Sequence, residues 1–218
     1  MSKLRWGVAG LAMLSVGVLA IPASAASRSV FKARGKELSA VVTTCPDNAP
    51  VGTQCEAWLV FASQDRITQN GTVDRQGAMS ADRFQLTATG SGFDVTHVGG
   101  GTGTPSALQV ATTLATGSAT GTIDFGCDPL ATGCVASTVT ISLQLTANGP
   151  ANFFRNRSVS EFDGCRNINR SNSRQRTADG SAVIDGASLP TTTIGPFPSS
   201  IGTSGFTTIQ RGTCPTGP

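Results

Sequence analysis

VASTVTISLQLTA, Val135 to Ala147, places Val139, Ile141, Leu143 and Leu145 at every second position, with hydroxyl and amide residues between them. A period of two belongs to a strand with one buried face, because successive strand side chains point to opposite sides of the sheet. Asn148-Gly149-Pro150 closes the segment with turn residues. Two cysteines precede it in CDPLATGC, Cys127 to Cys134, a loop rich in Pro, Asp and Gly.

The same grammar extends in both directions. Glu56 to Ser63, EAWLVFAS, is apolar on both faces, with Trp58, Val60 and Ala62 on one side and Leu59 and Phe61 on the other, and reads as an interior strand. Val30 to Thr44 reads as two short β pieces broken at Gly35, and Asn70-Gly71 is a hairpin turn. Arg83 to Thr89 alternates so as to place Phe84, Leu86 and Ala88 inward. Phe93 to Val98 is a strand, and GGGTGTP, Gly99 to Pro105, reads as the loop after it. Ala107 to Leu114 and Ala119 to Phe125 form two strands across a Gly117-Ser118 turn. NFFRNRSVSEF, RQRTADGSAVIDG and GFTTIQRG complete the series. No stretch carries a helical period, and turn signals recur every eight to fifteen residues or so, which is the spacing of all-β folds. The expectation is a single antiparallel β-sandwich, or flattened barrel, of about ten to twelve strands.

Lys3 and Arg5, the apolar run Gly7 to Ile21 and the small residues up to Ala25 have the three parts of a secretory signal peptide. The run is shorter than the roughly twenty residues of a spanning helix. Residues 1–25 are therefore read as cleaved, leaving one soluble domain, 26–218, secreted or held in the periplasm or at the cell surface. Cys45, Cys55, Cys127, Cys134, Cys165 and Cys214 all follow the signal, and an even number of cysteines in an exported chain reads as disulfides. Turn-rich spacers favour the pairs 45–55 and 127–134, which leaves 165–214. On the chain-entropy account the short loops contribute about 2.5–3 kcal/mol each and the long one about 4 kcal/mol. The order strand, cysteine, turn, cysteine, strand occurs twice; stapled hairpins account for it without a duplication.

The formal charge of +3 falls to about +1 once Lys3 and Arg5 are removed, so net charge gives no argument for nucleic acid. Against that background Ser160 to Arg176, SEFDGCRNINRSNSRQR, is conspicuously basic. Arg155 and Arg157, and likewise Arg174 and Arg176, are two apart, so each pair shares a strand face, and adjacent strands would gather four guanidinium groups into one patch. Such a patch suits a sulfated or carboxylated glycan, a phosphate-bearing wall polymer or an acidic protein surface, since arginine makes bidentate contacts to these groups. The plainer reading comes first: arginine on an outward sheet face discourages edge-to-edge pairing and keeps an exported protein of low charge soluble. Phe153, Phe154 and Phe162 are the aromatics near the patch, too few for the stacking platforms of single-stranded nucleic acid.

Catalytic signatures are sparse. The single histidine, His97, has Asp94 on the opposite strand face, and no G-x-S-x-G elbow supplies a nucleophile. Glu37, Glu56, Glu161 and the aspartates could furnish the paired carboxylates of a glycosidase, but spacing selects none of them. Calcium could be held by Asp124 and Asp128, or near Asp163, although the twelve-residue calcium loop is absent. No zinc spacing occurs, and GGGTGTP lacks the Lys-Ser/Thr ending of a phosphate loop. Asn70, Asn156 and Asn169 head glycosylation sequons. With Trp58 assigned to the core, a carbohydrate-binding module built on exposed aromatics is disfavoured. The sequence thus points to a monomeric, cofactor-free, non-enzymatic binding or structural module, with an extracellular hydrolase of the glycosidase type or an accessory carbohydrate-binding domain as the alternatives.

Overall fold

The computed structural model describes residues 28–46, 48–162, 164–192, 198–212 and 214. Residues 1–25, expected to be a signal peptide, and Asp163 lie outside them. The described chain has ten antiparallel strands and no helix: β1 (Ser29–Thr43), β2 (Gln54–Gln69), β3 (Thr72–Thr89), β4 (Gly92–Val110), β5 (Thr116–Cys127), β6 (Ser137–Ala147), β7 (Asn152–Phe162), β8 (Cys165–Ile184), β9 (Ala187–Pro190) and β10 (Ser200–Gly212). They form one sheet in the order β10-β1-β2-β3-β4-β5-β6-β8-β7, and β10 also pairs with β8. That second pairing bends the sheet into a closed ring, so the flattened-barrel form of the expected fold describes it.

β8 belongs to two structures at once. Its C-terminal half, Ala178 to Ile184, pairs with β6, and with β9 from Ser181 to Ile184. Its N-terminal half pairs with β7 on one edge and β10 on the other. β4 meets β3 only from Met79 onward, so Thr72 to Ala78 of β3 pair with β2 alone. One end of the molecule is therefore a closed barrel, and the other is an open sheet in the order β3-β2-β1-β10-β8-β7.

The barrel encloses the main core. Leu38, Val60, Met79, Ile123, Ile141, Leu143 and Ile201 are almost wholly buried there, while the intervening Thr138, Thr140, Gln144 and Thr146 of β6 face outward. Leu114, in the left-handed conformation (φ 58°), inserts from the β4–β5 turn and is also fully buried. The three disulfides are Cys45–Cys55, Cys127–Cys134 and Cys165–Cys214. The first two staple the mouths of the β1–β2 and β5–β6 hairpins, and the third ties the start of β8 to the chain beyond β10. Such a set of cystines belongs to a protein that matures where thiols are oxidised.

Several local expectations change. β1 runs unbroken through Gly35, because the space a Cβ would occupy there holds the side chains of Asp65 and Ser204 from the flanking strands. The glycine relieves crowding and marks no break. GGGTGTP is the middle of β4: Cβ atoms on Gly99, Gly101 and Gly103 would run into the carbonyls of Gly126, Asp124 and Thr122, so glycine permits β5 to approach closely. The turn between β4 and β5 lies at Ala111 to Ala115, not at Gly117-Ser118. Phe61 is exposed, so β2 buries one face of its middle and presents the other to solvent. Leu86 packs with Cys55 and Ala57, with Cys45 and Phe84 alongside, in a second cluster on the opposite sheet face from the main core. The cystine loop covers this face and is held by Gly52 N–H donating to Ala88 O and Ala88 N–H to Thr53 O.

Candidate functional site: a cationic groove on the open sheet

Directly opposed residues of an antiparallel pair share a face. Along β1, Leu38, Ala40 and Val42 point into the barrel, and β1–β2 pairing keeps a single register throughout. The same face therefore continues as Lys36, Arg34 and Lys32 beyond the barrel. On the open sheet Arg34 is opposed by Arg66, and Arg66 by Arg75, placing three arginines in a row across β1, β2 and β3. In the other direction the row continues through Gly205 and Asn172 to Arg155 on β7. The neighbouring row reads Thr68, Lys32, Thr207, Arg170, Arg157.

These rows line a groove of about 1130 Å³ whose cations are Arg28, Lys32, Arg34, Lys36, Arg66, Arg75 and Arg170, with Gln64, Thr68, Asn172, Thr203 and Thr207 between them. Among the described residues Asp65 is the one acid in the lining, and its carboxyl lies over Gly35 on the other face. Among the described residues none of the seven cations forms an ion pair; the pairs found are Arg83–Glu56, Arg166–Glu161 and those of His97. The alternation of the strands sorts charge by face, with Glu37, Asp65 and Asp74 at odd or opposed positions on the far side. Burial pushes the Glu37 carboxyl up, with the charge of Asp65 adding to it, and burial raises Asp65 likewise. Bases are thus concentrated on one surface without local neutralisation.

Register places Arg155, Arg157, Arg174 and Arg176 on this same face, at the β7–β8 side. Their environments differ. Arg174 donates from Nη1 to Thr112 O (3.2 Å) and from Nη2 to Thr113 O (3.5 Å), and its guanidinium lies 5.1 Å from the Phe153 ring centre. Arg176 donates from Nε to Gly149 O at 2.7 Å. These two side chains tie the β4–β5 and β6–β7 connections to β8, whereas Arg155 and Arg157 are exposed on the edge strand. The groove cations of β1, β2 and β3 are not among the residues singled out from the sequence. The pattern Lys32-x-Arg34-x-Lys36 carries their signal, three bases at period two, but Arg66 and Arg75 join them only through pairing.

A second polar cluster surrounds His97 on the barrel. Its Nδ1 is 3.1 Å from Asp128 Oδ2 and its Nε2 3.4 Å from Asp82 Oδ1, and its ring packs on Phe84. The hydrogen bond to Asp128 raises the imidazole pKa above its usual value, against the lowering effect of burial, and Asp82 adds to the rise. Asp128 is held below the usual carboxylate range by the Leu130 N–H and then by His97. Asp94 pairs with Thr87 further along the strand and is no partner of the ring. Asp124 accepts a long 3.5 Å hydrogen bond from Thr138 Oγ1.

No protein-family model matches the chain. A search of curated proteins likewise returns no match.

Proposed function

We propose that the protein is an exported binding module whose groove captures a linear anionic glycan or wall polymer bearing sulfate, carboxylate or phosphate. The supporting observation is the Arg34–Arg66–Arg75 row. Like charges directly opposed on neighbouring strands destabilise a sheet, and among the described residues no acid stands beside this row on its face, Glu161 of β7 being paired with Arg166 instead. A polyanion would neutralise the row by bidentate contacts and release its own counterions. The threonine, asparagine and glutamine side chains between the bases suit hydroxyl-rich repeats. Among the described residues Phe206 is the only aromatic in the lining, which disfavours stacked nucleobases. Arg155 and Arg157 extend the same face beyond the groove. Export is supported by the first 25 residues and by the three cystines.

The test is retention of the mature protein on immobilised heparin as a function of salt, with neutral dextran as the comparison. Retention on heparin alone is expected, with the logarithm of affinity falling linearly against the logarithm of salt. The double variant Arg34→Gln/Arg66→Gln should elute at distinctly lower salt. Equal elution of the variant and the parent protein rules out this groove as the binding site.

A further inference from the structure

β7 pairs with β8 along one edge, and among the described residues no strand covers its other edge. Every β7 residue is exposed, including Phe153 (65%), Phe154 (63%), Val159 (45%) and Phe162 (73%). Natural sheets blunt such edges with proline, a bulge, very short length or charged side chains. β7 spans eleven residues, contains no proline and pairs with β8 in one unbroken register, so its charges, Arg155, Arg157 and Glu161, are its sole protection, and they exclude a partner only where like charges meet. Its charges are also unequally placed, with Arg155 and Arg157 towards one end and Glu161 towards the other.

We propose that β7 is a self-complementary edge through which two copies of this chain pair antiparallel about a twofold axis at Ser158. Backbone groups of an edge strand alternate between its two sides, so self-pairing must be centred on a residue and oppose positions of equal parity. Centring on Arg157 would set that arginine against its own copy, a repulsive arrangement. Centring on Ser158 sets Arg155 against Glu161 of the second copy and Phe154 against Phe162 of the second copy, each contact occurring twice by symmetry. Arg155 and Glu161 lie on the cationic face, and the two phenylalanines on the other. Glu161 already receives Arg166 from β8 at 3.1 Å, and its second oxygen remains to accept Arg155 of the second copy. Moving the centre to Val159 would also oppose unlike charges, but it carries Phe154 past the end of the strand and loses the aromatic pair. Antiparallel pairing keeps the faces aligned, so the two cationic faces would meet as one continuous surface. The inference rests on the edge itself and does not depend on the groove binding a polyanion.

Sedimentation of the mature protein over a range of concentrations at low salt tests it. A monomer–dimer equilibrium is expected. Arg155→Glu alone and Glu161→Arg alone, each of which opposes like charges twice, should weaken the dimer roughly tenfold or more. The double variant Arg155→Glu/Glu161→Arg should restore it. Circular dichroism and titration of free thiols establish that each variant is folded; if a charge variant fails that check, Phe154→Thr, which keeps a β-forming residue, should weaken the dimer through the aromatic pair. A parent protein that stays monomeric, a double variant that does not recover, or open-ended assembly through pairing of β7 with the free edge of β3 would each overturn the proposal.

Discussion

Replacing Arg66 by glutamine should make the protein more stable and a poorer binder, and both effects can be sized from the register. Arg66 stands between Arg34 and Arg75 on directly opposed positions. Directly opposed side chains leave the sheet about 5 Å apart, so for a charge separation of about 6 Å the repulsion in bulk water is about 0.7 kcal/mol per pair, and Arg66 takes part in two such pairs. At about 10 mM salt, where the screening length is near 30 Å, relief of both should stabilise the fold by about 1 kcal/mol, and at physiological ionic strength by about half as much. With a urea slope of about 2 kcal/mol per molar, the midpoint should rise by about 0.5 M at low salt. Glutamine is shorter but keeps a polar head, and Arg66 is exposed, so packing changes contribute little. Urea unfolding at the two salt concentrations gives the stability, and heparin elution of the same samples gives the binding. A midpoint that falls or stays fixed at low salt would refute the reasoning, as would a gain that salt does not diminish, because the row would then not be electrostatically frustrated.

Two further outcomes follow from the barrel. His97, whose pKa is raised above its ordinary 6.5 chiefly by Asp128, contributes stability that is complete below the unfolded pKa and is lost as pH rises through the folded one. Urea midpoints of the parent protein, relative to those of His97→Gln, should therefore decline from about pH 6 upward, and parallel curves for the two proteins would contradict this. Gly101→Ala should destabilise the fold by about 1–3 kcal/mol, because a Cβ there collides with the Asp124 backbone, whereas Gly126→Ala, whose nearest neighbour would be Gly100 O at 3.8 Å, should be close to neutral; thermal melts of the pair check it.

The alternation of Val135 to Ala147 was a sufficient guide to β6, since one of its faces is buried by a core and the other is wet. The cysteines were equally readable, because short spacers full of Pro, Asp and Gly leave few geometries for closure. Glycine was the main source of error. Gly35 and the run from Gly99 to Gly103 read as breaks, yet they lie within strands where a neighbouring side chain or carbonyl takes the space of a Cβ, and no local sequence signal reports the approach of another strand. The arginine-rich stretch drew attention to the rim of the cationic face: Arg174 and Arg176 hold connections by bonding to carbonyls, while the densest row of charge depends on β1, β2 and β3 being neighbours. That adjacency is set by the Asn70-Gly71 turn and by the stapled β1–β2 hairpin, both visible, but the opposition of Arg34, Arg66 and Arg75 depends on register, which neither signal reports. The His97 cluster was missed for the same reason, as Asp82 and Asp128 come from other segments.

The seam between β1 and β10 joins Ser29 to Gln210 and Ser39 to Ser200, so the earliest and latest strands of the described chain are neighbours. A polypeptide emerging from its N-terminus therefore carries β1 with one vacant side until nearly all of the remaining sequence has arrived. Closure has to bridge almost the full contour, which places this fold among slow, high-contact-order folders and leaves β1 open to wrong partners in the interval. Lys32, Arg34 and Lys36 at every second position of that waiting strand would make growing chains repel one another, so the residues read here as a ligand cradle would also act as gatekeepers during assembly.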